Sequence, residues 1–285
     1  MRNILLLTKD SSQSDHLIEM TFKIACQCMA NITLFKISKT SITPKISVNT
    51  NGDLLPDEPD ICDILEMARQ YKQTMVPMWT FKPEITCLEV DEFNIGNIKK
   101  MVIEQGIWLL ILAKPSLIQL RSREEICPIW QIINNSNCPV LLMPEHTNFS
   151  SVNQIAYATD LRYCNYEIIR FLKTFNASIY VTHISAPGLV DIEEQYAQDV
   201  LCNVISIKSN YFKMFLRNIG GKQICTTTDR EFEMLNIKIL SFFNKNHRTF
   251  ERLLGEPNDS IWNYQQLPFL VFPFMNWHST SLFYA

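Results

Sequence analysis

Short apolar runs recur along the chain, each closed by polar turn residues, and helical patterns fall between them. NILLLTKD (3–10), ANITLFKI (30–37), EITCLEV (84–90), IWLLILAK (107–114) and NCPVLLMP (137–144) are short, continuously apolar and rich in β-branched or aromatic residues. Such runs predict strands buried on both faces. Between the first two, SDHLIEMTFKIACQCM (14–29) puts Leu17, Met20, Ile24 and Cys28 on one helical face, with Ser14 or Asp15 placed to cap it. DEPDICDILEMARQY (57–71) predicts a second helix with acidic residues at its start. NIGNIKKMVIEQG (94–106) predicts a third, closed by Gly106. EEICPIWQIINNS (124–136) predicts a fourth, with Pro128 near its first turn.

The pattern then repeats once, at the scale of a domain. NILLLTKD returns as NQIAYATD (153–160), ANITLFKI as NASIYVTHI (176–184), IWLLILAK as NIKILSFFNK (236–245), and NCPVLLMP as QLPFLVFP (266–273). YFKMFLRNI (211–219) fills the third strand position. Helices are expected over 165–175, 189–207, 222–235 and 259–266, the third a poor former because of its three Thr. Strand and helix thus alternate five times in each half, which builds a parallel sheet covered on both faces by right-handed crossovers. The expected fold is α/β, with two doubly wound five-stranded parallel-sheet domains over residues 1–146 and 152–285. The polar stretch PEHTNFSSVNQ (144–154) links them. VLLM (140–143) and FLVF (269–272) close the two sheets, and edge strands this apolar need cover. Pairing with each other across a pseudo-two-fold supplies it. The polar segment 38–60 reads as a long loop, and the aromatic tail with Phe274, Trp277, Phe283 and Tyr284 as a segment that docks on its own chain or on a second subunit.

These fragments, in the same order twice, resemble the universal stress proteins. NQIAYATDLRYCNYEIIRFLKTFNASIYVTHIS carries the strand ending in Thr159-Asp160 and the Thr182-His183-Ile184 run, and both NCPVLLMP and QLPFLVFP look like the closing strand of that family. The resemblance covers 1–144 and 153–273. It implies an adenine nucleotide alpha hydrolase-like sandwich, present here in tandem. It also implies pairing through the last strand and, in some members, ATP held by a glycine-rich loop after strand four. The physics of that loop is that glycines let backbone N–H groups approach phosphates while a helix N-terminus adds positive potential.

Both halves depart from that motif. After the fourth strand of the first half comes AKPSLIQLRSREE (113–125), which has no glycine and loses a backbone donor at Pro115. In the second half, NKNHRTFERLLGEPND (244–259) keeps Gly255 where the late glycine belongs, but Glu256 stands in place of the hydroxyl. A carboxylate there repels phosphate and takes the helix potential for itself. GEPND reads as a capped helix start or as a phosphate nest, and the first reading is preferred.

Ligands of a doubly wound sheet favour the crevice at the C-terminal strand ends. In the second half it would gather Thr159, Asp160, Asn244, Asn246, His247, Arg248 and Gly255. Asp160 matches the family's aspartate that faces the nucleotide. His247 and Arg248 either hold an anion or pair with Asp160 or Glu251. In the first half the crevice would gather Thr8, Lys9, Asp10, Lys114 and Ser116, where two lysines make either an anion site or a solvated surface.

Composition narrows the classes further. Hydrophobic content is 47% and net charge −3, so the chain buries sizeable cores and lacks the overall basic character of a nucleic-acid or anionic-membrane partner. Seven glycines among 285 residues are few, since average usage gives roughly 20. Nine scattered cysteines form no C-x-x-C pair, and Cys26 and Cys28, two apart on a helix, point in different directions. Most read as small apolar residues of a reducing cytosol. The Cys26/Cys28 pair leaves a redox or metal role open. The five His match no zinc motif. The N-terminal apolar run is too short for a secretory signal, and no run approaches the roughly 18–20 residues of a spanning helix. The expectation is a cytoplasmic pseudo-dimer, with a homodimer also open, that binds a protein partner or small molecule and has no cofactor and no catalysis. The alternative is a protein that binds ATP or another adenine nucleotide, with weak hydrolase activity in the second half.

Overall fold

A computed structural model describes residues 1–7, 11–37, 61–75, 80–90, 95–114, 129, 131–144, 147–159, 165–184, 193–219, 230–243 and 267–273. The first half runs β1 (Arg2–Leu7), α1 (Ser11–Cys28), β2 (Ala30–Ile37), α2 (Ile61–Met75), β3 (Ile85–Val90), α3 (Ile95–Glu104), β4 (Ile107–Ala113) and β5 (Val140–Met143). Residues 131–135 are helical, within the fourth helix expected from the sequence. The second half runs β6 (Gln154–Ala158), α4 (Tyr166–Leu172), a 3-10 turn (Lys173–Phe175), β7 (Ser178–Ile184), α5 (Glu194–Val200), β8 (Met214–Ile219), β9 (Ile239–Phe243) and β10 (Phe269–Phe272). α5 continues through a π-turn (Leu201–Ile205) into a last helical turn (Ser206–Ser209).

Among the described residues the ten strands join one sheet in the order β3-β2-β1-β4-β5-β10-β9-β6-β7-β8. Each half has the same internal order and is parallel throughout. The halves meet where β5 and β10 pair antiparallel, with Leu142 opposite Phe269, Leu141 opposite Leu270 and Val140 opposite Val271. This is the expected closing-strand pairing, and it makes the two five-stranded units one continuous sheet. Both apolar edges are covered at once.

Alternation along the strands divides the core. Ile4 and Leu6 belong to one buried cluster, with residues of α1, α4 and α5, while Leu5 and Leu7 belong to the other, with residues of α3 and the helical residues Ile132 and Ile133. The sequence pattern gives α1 one buried face. In the structure Ile18, Phe22, Ala25 and Cys26 are buried as well. The reason is tertiary: α1 touches the sheet, α2 and the 3-10 turn of the other half, so little of its circumference meets water.

Helix ends are closed by left-handed residues at Met29, Gly106, Asn137, Asn176, Asn210 and Asn236. Four of these six are asparagine, the residue that tolerates this conformation best after glycine. Glycine scarcity is therefore partly a matter of asparagine caps. The third strand of the second half starts at Met214 rather than near 211, because Tyr211 belongs to the preceding turn: its N–H bonds to the Ser206 carbonyl at 3.2 Å. The long loop 38–60, the tail from 274 onward and the helix expected over 259–266 lie outside the described residues.

Candidate functional site

In each half the strand order reverses beside the first strand, between β1 and β4 and between β6 and β9. The C-terminal ends of those strands are where a doubly wound sheet opens a crevice. Because β5 and β10 are antiparallel, the two crevices lie at opposite ends of the molecule.

Thr159 follows β6 directly. Its N–H donates to the Thr182 carbonyl at 3.0 Å, extending the β6–β7 ladder by one residue, and its side chain is half-buried. Thr182 is fully buried, and its hydroxyl donates to the Tyr180 carbonyl at 3.0 Å. Thr159 therefore stands at the mouth of the second crevice on a fixed backbone. Asp160, Asn244, Asn246, His247, Arg248, Gly255, Lys9 and Asp10 lie outside the described residues, as do Thr8 and Ser116.

Lys114 is described, and its position adds something that sequence reasoning missed. It follows β4, and its N–H donates to the Met143 carbonyl at 2.7 Å. Its side chain is 8% exposed rather than solvated. The ammonium donates to the Leu267 carbonyl at 3.3 Å and lies 3.6 Å from the centre of the Phe269 ring. It thus crosses from one half to the other at the end of the β5–β10 seam. Burial pulls its pKa down from 10.5 to about 7, because a charged amine loses its hydration there. The carbonyl and the ring face both attract the cation and return part of that loss.

The seam carries further contacts that no local pattern announces. Gln27 of α1 uses its whole amide: Nε2 donates to the carbonyls of Val152 at 2.8 Å and Phe175 at 2.6 Å, while Oε1 accepts from the Val152 N–H at 2.8 Å. Trp108 of β4 stacks on Phe171 of α4. At the N-terminal end of β3, away from the crevice, an open groove is lined by Arg69, Lys72, Gln73 and Lys82. Arg69 there reaches Glu66 at 3.9 Å, a loose exposed pair worth little.

Among the described residues no three His, Cys, Asp or Glu side chains gather as a metal site would require. Cys26 and Cys28 are buried, and burial raises their thiol pKa values to about 11 and about 12. No helix is long and apolar enough to cross a membrane among the described residues.

A universal stress protein from Archaeoglobus fulgidus DSM 4304 superposes on this chain with a TM-score of 0.57, covering 95% of this chain and 98% of that one at 12% identity. The chain has the universal stress protein fold. A putative universal stress protein from Pseudomonas aeruginosa UCBPP-PA14 is similar in the same way, with a TM-score of 0.54, 12% identity, and 96% and 93% of the two chains covered. So is a functionally unknown protein from Pseudomonas aeruginosa PAO1, with a TM-score of 0.53, 11% identity, and coverage of 96% and 92%. No protein-family model and no curated protein matches the chain. What is shared with these structures is the fold along nearly the whole chain, so the chemistry rests on the residues of this sequence.

Proposed function

We propose that the chain is a non-catalytic binding or interaction protein of the universal stress type, acting in the cytoplasm. Its two domains, 1–146 and 152–285, carry degenerate nucleotide sites. One observation carries this reading: the sequence between β4 and β5 has no glycine and the sequence between β9 and β10 has one, fewer than a phosphate loop needs. In the first half Pro115 also removes a donor. In the second, Glu256 sets a carboxylate beside the one remaining glycine, Gly255. The orientation of Lys114 supports the same reading, since a cation engaged by Leu267 and Phe269 is drawn away from a phosphate at the crevice.

A second reading is adenine-nucleotide binding with weak hydrolase activity in the second half, through Asp160, His247 and Arg248. It is favoured by the placement of Thr159 at the strand end where the sheet order reverses, the residue that Asp160 follows in the sequence. Thermal-shift titration of the full chain with ATP and magnesium separates the two. A ligand at about 100 times its Kd adds about 2.7 kcal/mol of stability, which is a shift of several degrees. A flat titration is expected. A saturable rise in Tm that is lost in Asp160→Asn or Arg248→Ala establishes the second reading instead.

A further inference from the structure

The turn that joins the α5 helix to β8 is unusual in combining rigidity, charge and exposed apolar side chains. Asn210, at φ 49°, closes the helix. The Asn210 N–H donates to the Ile207 carbonyl and the Tyr211 N–H to the Ser206 carbonyl, each at 3.2 Å. This is the two-bond helix stop known as the Schellman motif. The turn is also bonded to the neighbouring α4 segment and to the residues that follow it. Arg170 donates to the Lys208 carbonyl at 3.0 Å, and Lys173 to the Asn210 carbonyl at 3.0 Å. Lys213 donates to Asn176 Oδ1 at 2.8 Å, and the buried Tyr211 hydroxyl donates to the Ala177 carbonyl. A segment held at this many points does not fray.

This fixed turn holds apolar side chains out into water. Phe212 is 77% exposed and Ile207 66%. Val204, one helical turn before Ile207, is exposed as well. Around them stand Arg170, Lys173, Lys208 and Lys213, all exposed. Tyr166 lies between two of these cations, its ring 5.1 Å from the Arg170 guanidinium and 5.9 Å from the Lys208 ammonium. Glu167 is paired with Arg170 at 2.9 Å and offsets one charge.

We propose that this turn is a docking surface for an anionic lipid interface, with Phe212 and Ile207 entering the acyl boundary and Lys208, Lys213, Lys173 and Arg170 meeting the headgroups. An anionic lipid surface satisfies both halves of the pattern, apolar depth and negative charge, and an amphipathic Tyr at the boundary suits it. A second copy of the chain would set four cations against four. A nucleic acid would answer the cations but leave Ile207 and Val204 in water. Side chains exposed to this degree need a matching concavity in a protein partner, whereas lipid deforms around them. The net charge of −3 does not prevent this, because charges beyond a Debye length of about 8–10 Å are largely screened at physiological salt.

The test is flotation of the full chain with phosphatidylcholine vesicles, with and without phosphatidylserine. The chain is expected to float with the phosphatidylserine vesicles only, and to be released as salt is raised. Each surface lysine lost should weaken binding about fivefold, so the Lys208→Gln/Lys213→Gln pair should weaken it more than tenfold. Ile207→Ser/Phe212→Ser should weaken it about tenfold or more by removing the buried apolar area. Ile207→Ser/Phe212→Ser replaces exposed side chains and should melt as the parent chain does, while Lys208→Gln/Lys213→Gln also gives up the exposed Lys213–Asn176 bond and should melt only slightly lower. Absence of binding to phosphatidylserine vesicles overturns the proposal, as does binding indifferent to both double variants. Self-association or oligonucleotide binding lost in the same variants, without vesicle binding, assigns the turn to a second copy or to nucleic acid and also overturns it.

Discussion

Trp108 and Phe171 lie in different halves of the chain, and their rings stack with centroids 4.4 Å apart and planes 18° from parallel. Phe272 meets the same Phe171 edge-on at 5.3 Å, and Phe175 flanks Trp108 at 6.1 Å. Large aromatic rings buried this way carry much of the cohesion between packed units. Trp108→Ala should cost about 3–5 kcal/mol. It should also split what is otherwise one cooperative urea transition into two, because the seam rather than either core is weakened. Calorimetry or urea titration followed by two probes checks this. A small loss with one transition retained would mean that the β5–β10 pairing and Gln27 suffice to hold the halves.

Lys114 gives the stability a pH dependence of predictable sign. Its folded pKa, about 7, lies below its unfolded value of 10.5, so the unfolded chain holds more protons between these limits. Stability contributed at this site therefore rises with pH from about 7 to 10.5 and is flat below. Lys114→Met should remove that slope and raise stability at pH 6 to 7 by on the order of a few kcal/mol. Urea denaturation of both proteins across this range is the measurement. A parallel pH dependence in the variant would show that Lys114 is solvated in solution.

Met29 closes α1 with φ 52°, a conformation that crowds a Cβ, whereas Asn176 closes the 3-10 turn after α4, at the matching place in the second half, with φ 51°. Met29 is 59% exposed, so replacing it loses little packing. Met29→Asn should stabilise the protein by about 0.5–1 kcal/mol. Thermal denaturation of the pair decides it, and a lower Tm would mean that the Met29 side chain has an unseen contact.

Burial raises the thiols of Cys28 and Cys138 to about 12 and Cys26 to about 11. Cys202 is exposed, and its sulfur accepts from Gln198 Nε2 at 3.3 Å. In the native protein an alkylating reagent at neutral pH should mark Cys202 well before Cys26, Cys28 or Cys138, since only the thiolate reacts. Timed alkylation with mass-spectrometric mapping reads the order. Early labelling of Cys26 or Cys28 would revive a redox role for that pair.

The strands were legible because a run such as IWLLILA is apolar at every position, and a strand buried on both faces permits nothing else. The pairing of VLLM with FLVF was legible for the same reason, as two apolar edges without another cover. The full burial of α1 was not, since periodicity reports one face and the second is covered by Phe175, far along the chain. Asn137, Asn176, Asn210 and Asn236 each stand just past a helix, so the cap signal was present, but counting glycines passed over it. The place of Lys114 depends on a carbonyl 153 residues away, which no local rule reaches. Of the residues expected to line the crevices, Thr159 and Lys114 can be placed, one at a crevice mouth and one at the seam.

The single chain that carries both halves also frees them from having to be alike. In an assembly of identical subunits related by a two-fold axis, any residue beside that axis appears twice, and an awkward one is doubled. Here the residue after β4 is Lys114, while the one after β9 is Asn244. A lone amine can thus be sunk against an aromatic ring with no mirror twin to repel it, and each half is at liberty to specialise without dragging the other along.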